Sequence, residues 1–480
     1  MLRIRSLVTY SLLIGLSVFI AACASDTRTL GLIYERSAQY HKPDRNPIIV
    51  IPGVLGSRLV EDATNRTVWG AFNGGAANPN DPDDAQLLAL PIGPQEQFIE
   101  GAGNRVRSDG VLDQIRLRIA GISFGIRAYV GILSTLGVGG YSDESIGLNG
   151  VDYGDDHFTC FQFDYDWRLD NVENAARLKI FIEEKRAFIQ EEYKKRYGLE
   201  DAEVKFDIVA HSMGGLITRY FMRYGDADLP TDGSLPELTW EGSEYVERAI
   251  LVGTPNAGSS QAFDQLLNGF DPAKPILPHY PASILGTYPS IYQLLPRPRH
   301  AKVVMDNEAE TPITNIYDGE LWEKYEWGLA AQTEETQTFL EHSLPYLSDP
   351  EARREVALDF QTKVLKRAET FHKALDLDAP LPEGIDLYLV AGDIENTPDR
   401  VAVNQETGEV RFIDTVPGDG SVARYSALLD ERVGQEWQPT LRSPIHWTEV
   451  QFIPSDHIGL TSDPSFSNNV LYLLLEDPRD

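Results

Sequence analysis

The segment Ile208-Val209-Ala210-His211-Ser212-Met213-Gly214-Gly215-Leu216 sets a single serine between an apolar run and the start of a helical pattern. A serine at such a strand-to-helix corner is held on a tight backbone turn that pushes its hydroxyl outward, and small neighbours are what the turn tolerates. The chemistry on offer is nucleophilic attack on an acyl carbonyl. The usual pattern is Gly-x-Ser-x-Gly; here Ala210 replaces the first glycine with the next smallest side chain. Such a serine needs a histidine base, and the base needs an acid that orients it, in the chain order serine, acid, histidine. Of nine histidines, His211 adjoins the serine, and neighbouring side chains at a sharp corner point apart, so its role is structural. His457 follows the strand-then-loop run Val450-Gln451-Phe452-Ile453-Pro454-Ser455-Asp456 and suits the base; His446 is the alternative. Asp419, in the turn Gly418-Asp419-Gly420, is a candidate acid, with Asp393 at a strand end as competitor and Asp414 as a third. An aspartate in a glycine turn is ordinarily turn chemistry, so local pattern leaves these three open. The oxyanion formed on attack needs backbone donors. The Met213 N–H and the Val54 N–H in Pro52-Gly53-Val54-Leu55-Gly56-Ser57 are the expected pair, with Leu55 as an alternative to Val54.

These residues need a scaffold. Short, doubly apolar runs rich in β-branched residues occur at Ile48–Ile51, Phe206–Ala210, Ala249–Val252 and Leu387–Val390, the pattern of buried parallel strands. Amphipathic helical patterns lie between them, as at 171–197. Strands alternating with helices predict an α/β fold, a mostly parallel sheet covered by helices on both faces. The core is assigned to 46–254 and 383–480. Residues 255–382, helical in pattern and rich in proline, are too long for a crossover and read as an inserted cap or lid. Residues 56 to about 110, rich in Gly, Asn, Asp and Pro, read as a surface excursion.

The chain of 480 residues carries a net charge of −31. That excludes nucleic acid as a partner, which requires a basic footprint, and it disfavours direct binding to anionic headgroups. Residues 1–22 combine Arg3 and Arg5 with an apolar stretch from Leu7 to Ile20 and read as a signal peptide. Ala21-Ala22-Cys23 resembles a bacterial lipobox, which implies that Cys23 becomes a lipidated first residue. Residues 23–45 would then tether an extracytoplasmic enzyme to a membrane of the cell envelope through that lipid anchor. With Cys23 so used, Cys160 has no disulfide partner. No spaced Cys/His cluster suggests a metal, and no cofactor is expected. Oligomeric state is not encoded in any of these features.

Six blocks in order resemble the lecithin:cholesterol acyltransferase family of α/β-hydrolases. They are Ile48–Ser57, Phe163-Asp164-Tyr165-Asp166-Trp167-Arg168-Leu169, Ala210–Gly215, Gly253-Thr254-Pro255-Asn256-Ala257-Gly258-Ser259, Gly418-Asp419-Gly420-Ser421-Val422 and Asp456-His457. The Tyr-Asp-Trp-Arg block is the most specific of them. The resemblance implies an α/β-hydrolase fold and places the triad on Ser212, Asp419 and His457. It implies a serine-dependent acyl hydrolase or O-acyltransferase acting on phospholipid or neutral lipid esters. The alternatives are a general lipase or carboxylesterase without acyl transfer, and an inactive lipid-binding lipoprotein. Asp166 and Arg168 read as a strand-end brace rather than a binding site, and Trp69 falls where the family carries a mobile lid loop. Cys160 stands alone where human-type members hold disulfides, and the cap is similar only around Tyr288–Pro296.

Overall fold

The computed structural model describes residues 29–70, 76–93, 103–112, 115–119, 122–126, 129–148, 157–272 and 277–479. The signal segment 1–22 and Cys23 lie outside the described residues.

The doubly apolar runs form one parallel sheet. Its strands are β1 (Ile48–Ile51), β2 (Cys160–Gln162), β3 (Phe206–His211), β4 (Val246–Val252), β5 (Asp386–Gly392) and β6 (Glu449–Ile453), in the spatial order β6-β5-β4-β3-β1-β2. All five pairings are parallel, with Ile49 opposite Phe161 and Ile208, Ile208 opposite Ala249, and Leu389 opposite Leu251 and Val450. Alternation sorts the side chains to two faces. Ile49, Phe161, Ile208 and Leu251 join one buried cluster with α1 (Asn171–Tyr197) and α2 (Met213–Tyr224). Ile48, Val50, Val209 and Ile250 join a second, with the helix Val130–Val138 and, later in the chain, a C-terminal helix, Pro464–Leu475. A slip of one residue would exchange the two sets, so the register that carries Ser212 is fixed from both sides.

Helix α1 opens on Asp170, whose carboxylate accepts the Val172 N–H, and closes on Gly198 at φ 68°, a left-handed position suited to glycine. Helix α2 begins directly after Ser212 and is buried along its whole length. In the insertion 255–382 the longest helix is α3 (Pro350–Leu375). Its last carbonyls are taken by α2: Arg219 donates to Leu375 O at 2.7 Å, and Tyr224 Oη donates to Ala374 O at 2.9 Å. A cap strand, Val303–Met305, also pairs in parallel with Val401–Val403, which lies between β5 and Asp419. Among the described residues, 255–382 add no strand to the six-stranded sheet.

Two expectations change. The excursion after β1 is not featureless: Ser57–Glu61, Thr67–Trp69 and Val106–Val111 form a three-stranded antiparallel sheet, and Pro82–Leu88 is a helix. Leu59, Val60, Val68 and Trp69 are buried in it, a pattern masked in sequence by the Gly/Asn/Asp-rich turns between them. The stretch expected as a polar tether through Arg45 is folded in part. Residues 29–38 are helical, and Leu30 and Tyr34, one turn apart, are buried against Leu471 of the C-terminal helix. Among the described residues, no helix is long and apolar enough to cross a membrane.

Candidate active site

Ser212 adopts φ 53° and ψ −125°, a conformation a non-glycine residue holds only when its surroundings enforce it. Its N–H donates to Val252 O at 2.8 Å, tying the corner to β4. The flanking glycines are required by contact. A Cβ on Gly214 would lie 2.5 Å from Pro52 O, one on Gly215 would collide with Thr254, and one on Gly53 would lie 2.7 Å from the Ser212 Cβ. The apolar strand and the Gly-Gly start of α2 thus produce the outward serine together.

His457 stands on the loop after β6. Its Nε2 is 3.0 Å from Ser212 Oγ and its Nδ1 is 2.8 Å from Asp419 Oδ2. A carboxylate only accepts, so Nδ1 carries the proton and bare Nε2 accepts from the serine hydroxyl. The Asp419 turn is welded to the same loop, since the His457 N–H donates to Asp419 O at 2.8 Å. Asp419 Oδ1 accepts the N–H groups of Ser421 at 2.9 Å and Val422 at 2.7 Å. Burial pushes the Asp419 carboxyl up, but the His457 ring and those N–H donors outweigh it and hold the group below the ordinary carboxylate range. Glycines again make room: Gly253, at φ 58°, faces the His457 ring, and Gly392 backs onto the Asp419 Cβ. The other candidates lie elsewhere. His446 pairs with Asp378 at 2.8 Å, Asp393 with Arg424 at 3.4 Å and Asp414 with Arg400 at 3.1 Å. The structure brings together Ser212, His457 and Asp419.

Val54 and Leu55 lie on the turn after β1, Leu55 with φ 63°. The turn is pinned by aromatic residues of the Tyr-Asp-Trp-Arg block and by Trp69. Tyr165 Oη donates to Pro52 O at 2.8 Å, Trp167 Nε1 to Ser57 O at 3.2 Å, and Trp69 Nε1 to Leu55 O at 2.9 Å. Met213 is the first residue of α2, where main-chain N–H groups have no partner within the helix. Among the described residues, the N–H groups of Val54 and Met213 donate to no other group.

A cavity of about 470 Å³ opens on Ser212 and His457, walled by Trp69, Leu112, Trp167, Tyr280, Leu285 and Ile291. Trp69 is only 3% exposed; it is a wall of this cavity, with its ring edge-to-face against Trp167 and Tyr280. Tyr288, from the cap stretch that resembles the family, also lines it. Arg168 is fully buried, paired with Asp166 at 2.7 Å and donating to Leu87 O and Leu88 O at 2.9 Å each. Arg168→Met should therefore destabilise the fold by about 3–5 kcal/mol, because it leaves the Asp166 carboxylate buried without its partner. A guanidinium unfolding midpoint unchanged from wild type would contradict that role for the pair. Among the described residues, no group of three or more His, Cys, Asp or Glu side chains is arranged to hold a metal ion.

Residues 148–400 match the sequence profile of the lecithin:cholesterol acyltransferase family. The chain belongs to that family. The matched stretch includes the Tyr165–Arg168 block and Ser212 but stops short of Asp419 and His457. The chain is similar to the phospholipase A(1) LCAT3 of Arabidopsis thaliana, 26% identical over 297 residues, covering 56% of this chain and 58% of that protein. The chain thus spans under two thirds of that relative. Among solved structures, a chain in the Tle4–Tli4 complex superposes with a TM-score of 0.53 at 15% identity, covering 90% of this chain and 98% of that one. That likeness is one of fold.

Several contributors to the site carry no sequence signal. Gly392 looks like an ordinary strand-end glycine, Gly253 stands out only through the family block it opens, and Tyr129, which meets Gly53 and His211, follows a stretch without recognisable pattern. Tyr165 and Trp167 stand out only through the family block.

Proposed function

We propose that this acyltransferase-family chain is a serine-dependent acyl hydrolase or O-acyltransferase that acts on lipid esters through an acyl-enzyme on Ser212. The observation that carries the reading is the hydrogen-bonded series Asp419–His457–Ser212 at the mouth of an apolar cavity. His457 Nε2 takes the Ser212 proton as Oγ attacks the ester carbonyl. The carbonyl oxygen becomes an oxyanion held by the Val54 and Met213 N–H groups, while Asp419 holds the imidazolium. Collapse expels the alcohol, which takes the proton from His457. Water or a second alcohol then attacks the acyl-enzyme with His457 as base; collapse breaks the acyl–Oγ bond, and His457 returns the proton to Ser212 Oγ. The aromatic and aliphatic cavity wall suits an acyl chain.

The proposal extends to location. With Cys23 acylated, the enzyme would sit at a membrane of the bacterial cell envelope on its extracytoplasmic side, close to lipid substrate.

A fluorophosphonate should label the folded protein once, and digestion should place the adduct on the peptide containing Ser212. Absence of an adduct, or an adduct on another residue, overturns the mechanism. Supplying phospholipid with a long-chain alcohol separates the two reactions: a new ester identifies transfer, and free fatty acid alone identifies a lipase or phospholipase.

A further inference from the structure

Two buried side chains that the proposed mechanism does not use join its separate parts. The Gly53 N–H donates to Tyr129 Oη at 2.7 Å. That oxygen lies 3.1 Å from His211 Nδ1, and His211 Nε2 lies 3.0 Å from the main-chain carbonyl of His457. The direction of each bond follows from the chemistry of its ends. A carbonyl can only accept, so His211 Nε2 carries a proton. Burial, aided by the neighbouring His457 ring, pulls the His211 ring down to about 3, so it is neutral and its Nδ1 is bare. Tyr129 must donate to that nitrogen, which leaves its lone pairs for the Gly53 N–H. Burial also raises the Tyr129 hydroxyl above its usual range, so it keeps its proton.

The placement of this series along the chain is what gives it meaning. It starts at the residue before Val54, passes through the residue before Ser212, and ends on the main chain of the residue whose ring faces Ser212. Each end is an irregular loop, and loops do not fix one another's spacing unaided. Near this link the packing is tight: a Cβ on Gly56 would lie 2.8 Å from Tyr129 Oη, and the His211 and His457 rings are 4.8 Å apart between centroids. We propose that Tyr129 and His211 are positioning residues that set the distance between the oxyanion-loop donors and the His457 ring. The inference rests on the acyl-enzyme reading above. It assigns His211, beside the nucleophile in sequence, a role distinct from that of a base. Displacements on the order of 1 Å between reacting groups cost up to ~10²-fold in rate, so a tie between the loops acts on turnover more than on substrate affinity.

The test uses the full chain and a soluble p-nitrophenyl ester. Tyr129→Phe keeps the ring and removes only Oη; it should lower kcat about tenfold, less than the ~10²–10³ lost with a direct oxyanion donor, with KM within about twofold. His211→Gln should give a loss of similar size. The double variant should lose little more than either single one, because both cut the same series. A folded Tyr129→Phe enzyme with wild-type kcat overturns the proposal, as does a double variant whose loss is the product of the two. Fluorophosphonate labelling separates this failure from that of the underlying reading. Wild type unlabelled at Ser212 sinks the acyl-enzyme, whereas equal labelling rates in wild type and Tyr129→Phe sink only the positioning role.

Discussion

Ser212→Ala should lower ester turnover by on the order of 10⁶, the scale seen when the nucleophile of such a site is removed. The loss is large because, among the described residues, no other hydroxyl is offered to His457 Nε2, whose partner at 3.0 Å is Ser212 Oγ. Alanine adds no atom to the crowded corner, so the contacts of Gly53 and Gly214 persist and the melting midpoint should stay near wild type. Residual rate would come from the backbone donors and the cavity, acting on water rather than on a covalent intermediate. Turnover within tenfold of wild type in a folded variant would show that another nucleophile serves. Initial rates on a p-nitrophenyl ester, with a thermal melt of the same sample, decide the matter.

Asp419→Asn should cost about 10⁴ in turnover for a different reason. The asparagine amide is nearly isosteric, but it turns a donor toward His457 Nδ1 where a carboxylate now accepts at 2.8 Å. The imidazole then adopts the other tautomer, presents an N–H to Ser212 and ceases to be a base. A pH signature accompanies the change. The folded Asp419 carboxyl titrates below its unfolded value of about 3.9, so its stabilising contribution is complete above that pH and fades as pH falls toward the folded value. The asparagine variant has no such proton to take up. Its stability should therefore fall less steeply with acid below about pH 5 than that of wild type, measured by denaturant midpoints across that range. Parallel curves would remove Asp419 from the acid-side linkage.

Legibility in the sequence followed burial. β1, β3, β4 and β5 are covered on both faces, so their residues read as continuous apolar runs and were recognisable without context. The corner at Ser212 was legible because strain there demands a particular string of small residues. Asp419 was legible only through the family block: Asp393 and Asp414 also follow strand ends, and the fold shows them engaged by Arg424 and Arg400. The antiparallel strands after β1 were hidden because the Gly-, Asn-, Asp- and Pro-rich connections between them dominate the composition of that stretch. Helix 29–38 was hidden because its buried stripe holds just Leu30 and Tyr34, while Leu32 and Ile33 remain exposed. Tyr129 belongs to a further class, since its importance depends on two partners, Gly53 and His211, that lie 76 and 82 residues away in sequence.

The seating of α3 on α2 bears on how this protein could be re-engineered. The helix whose first turn presents Ser212 is also the one whose Arg219 and Tyr224 hold the far end of the insertion, and strand Val303–Met305 ties the insertion to the segment leading into Asp419. Grafting the insertion from a relative would therefore disturb nucleophile and acid together, and a chimera exchanged at residues 255–382 alone inherits a mismatched seat. Selectivity is better altered at Leu112, whose side chain lines the cavity from outside the insertion.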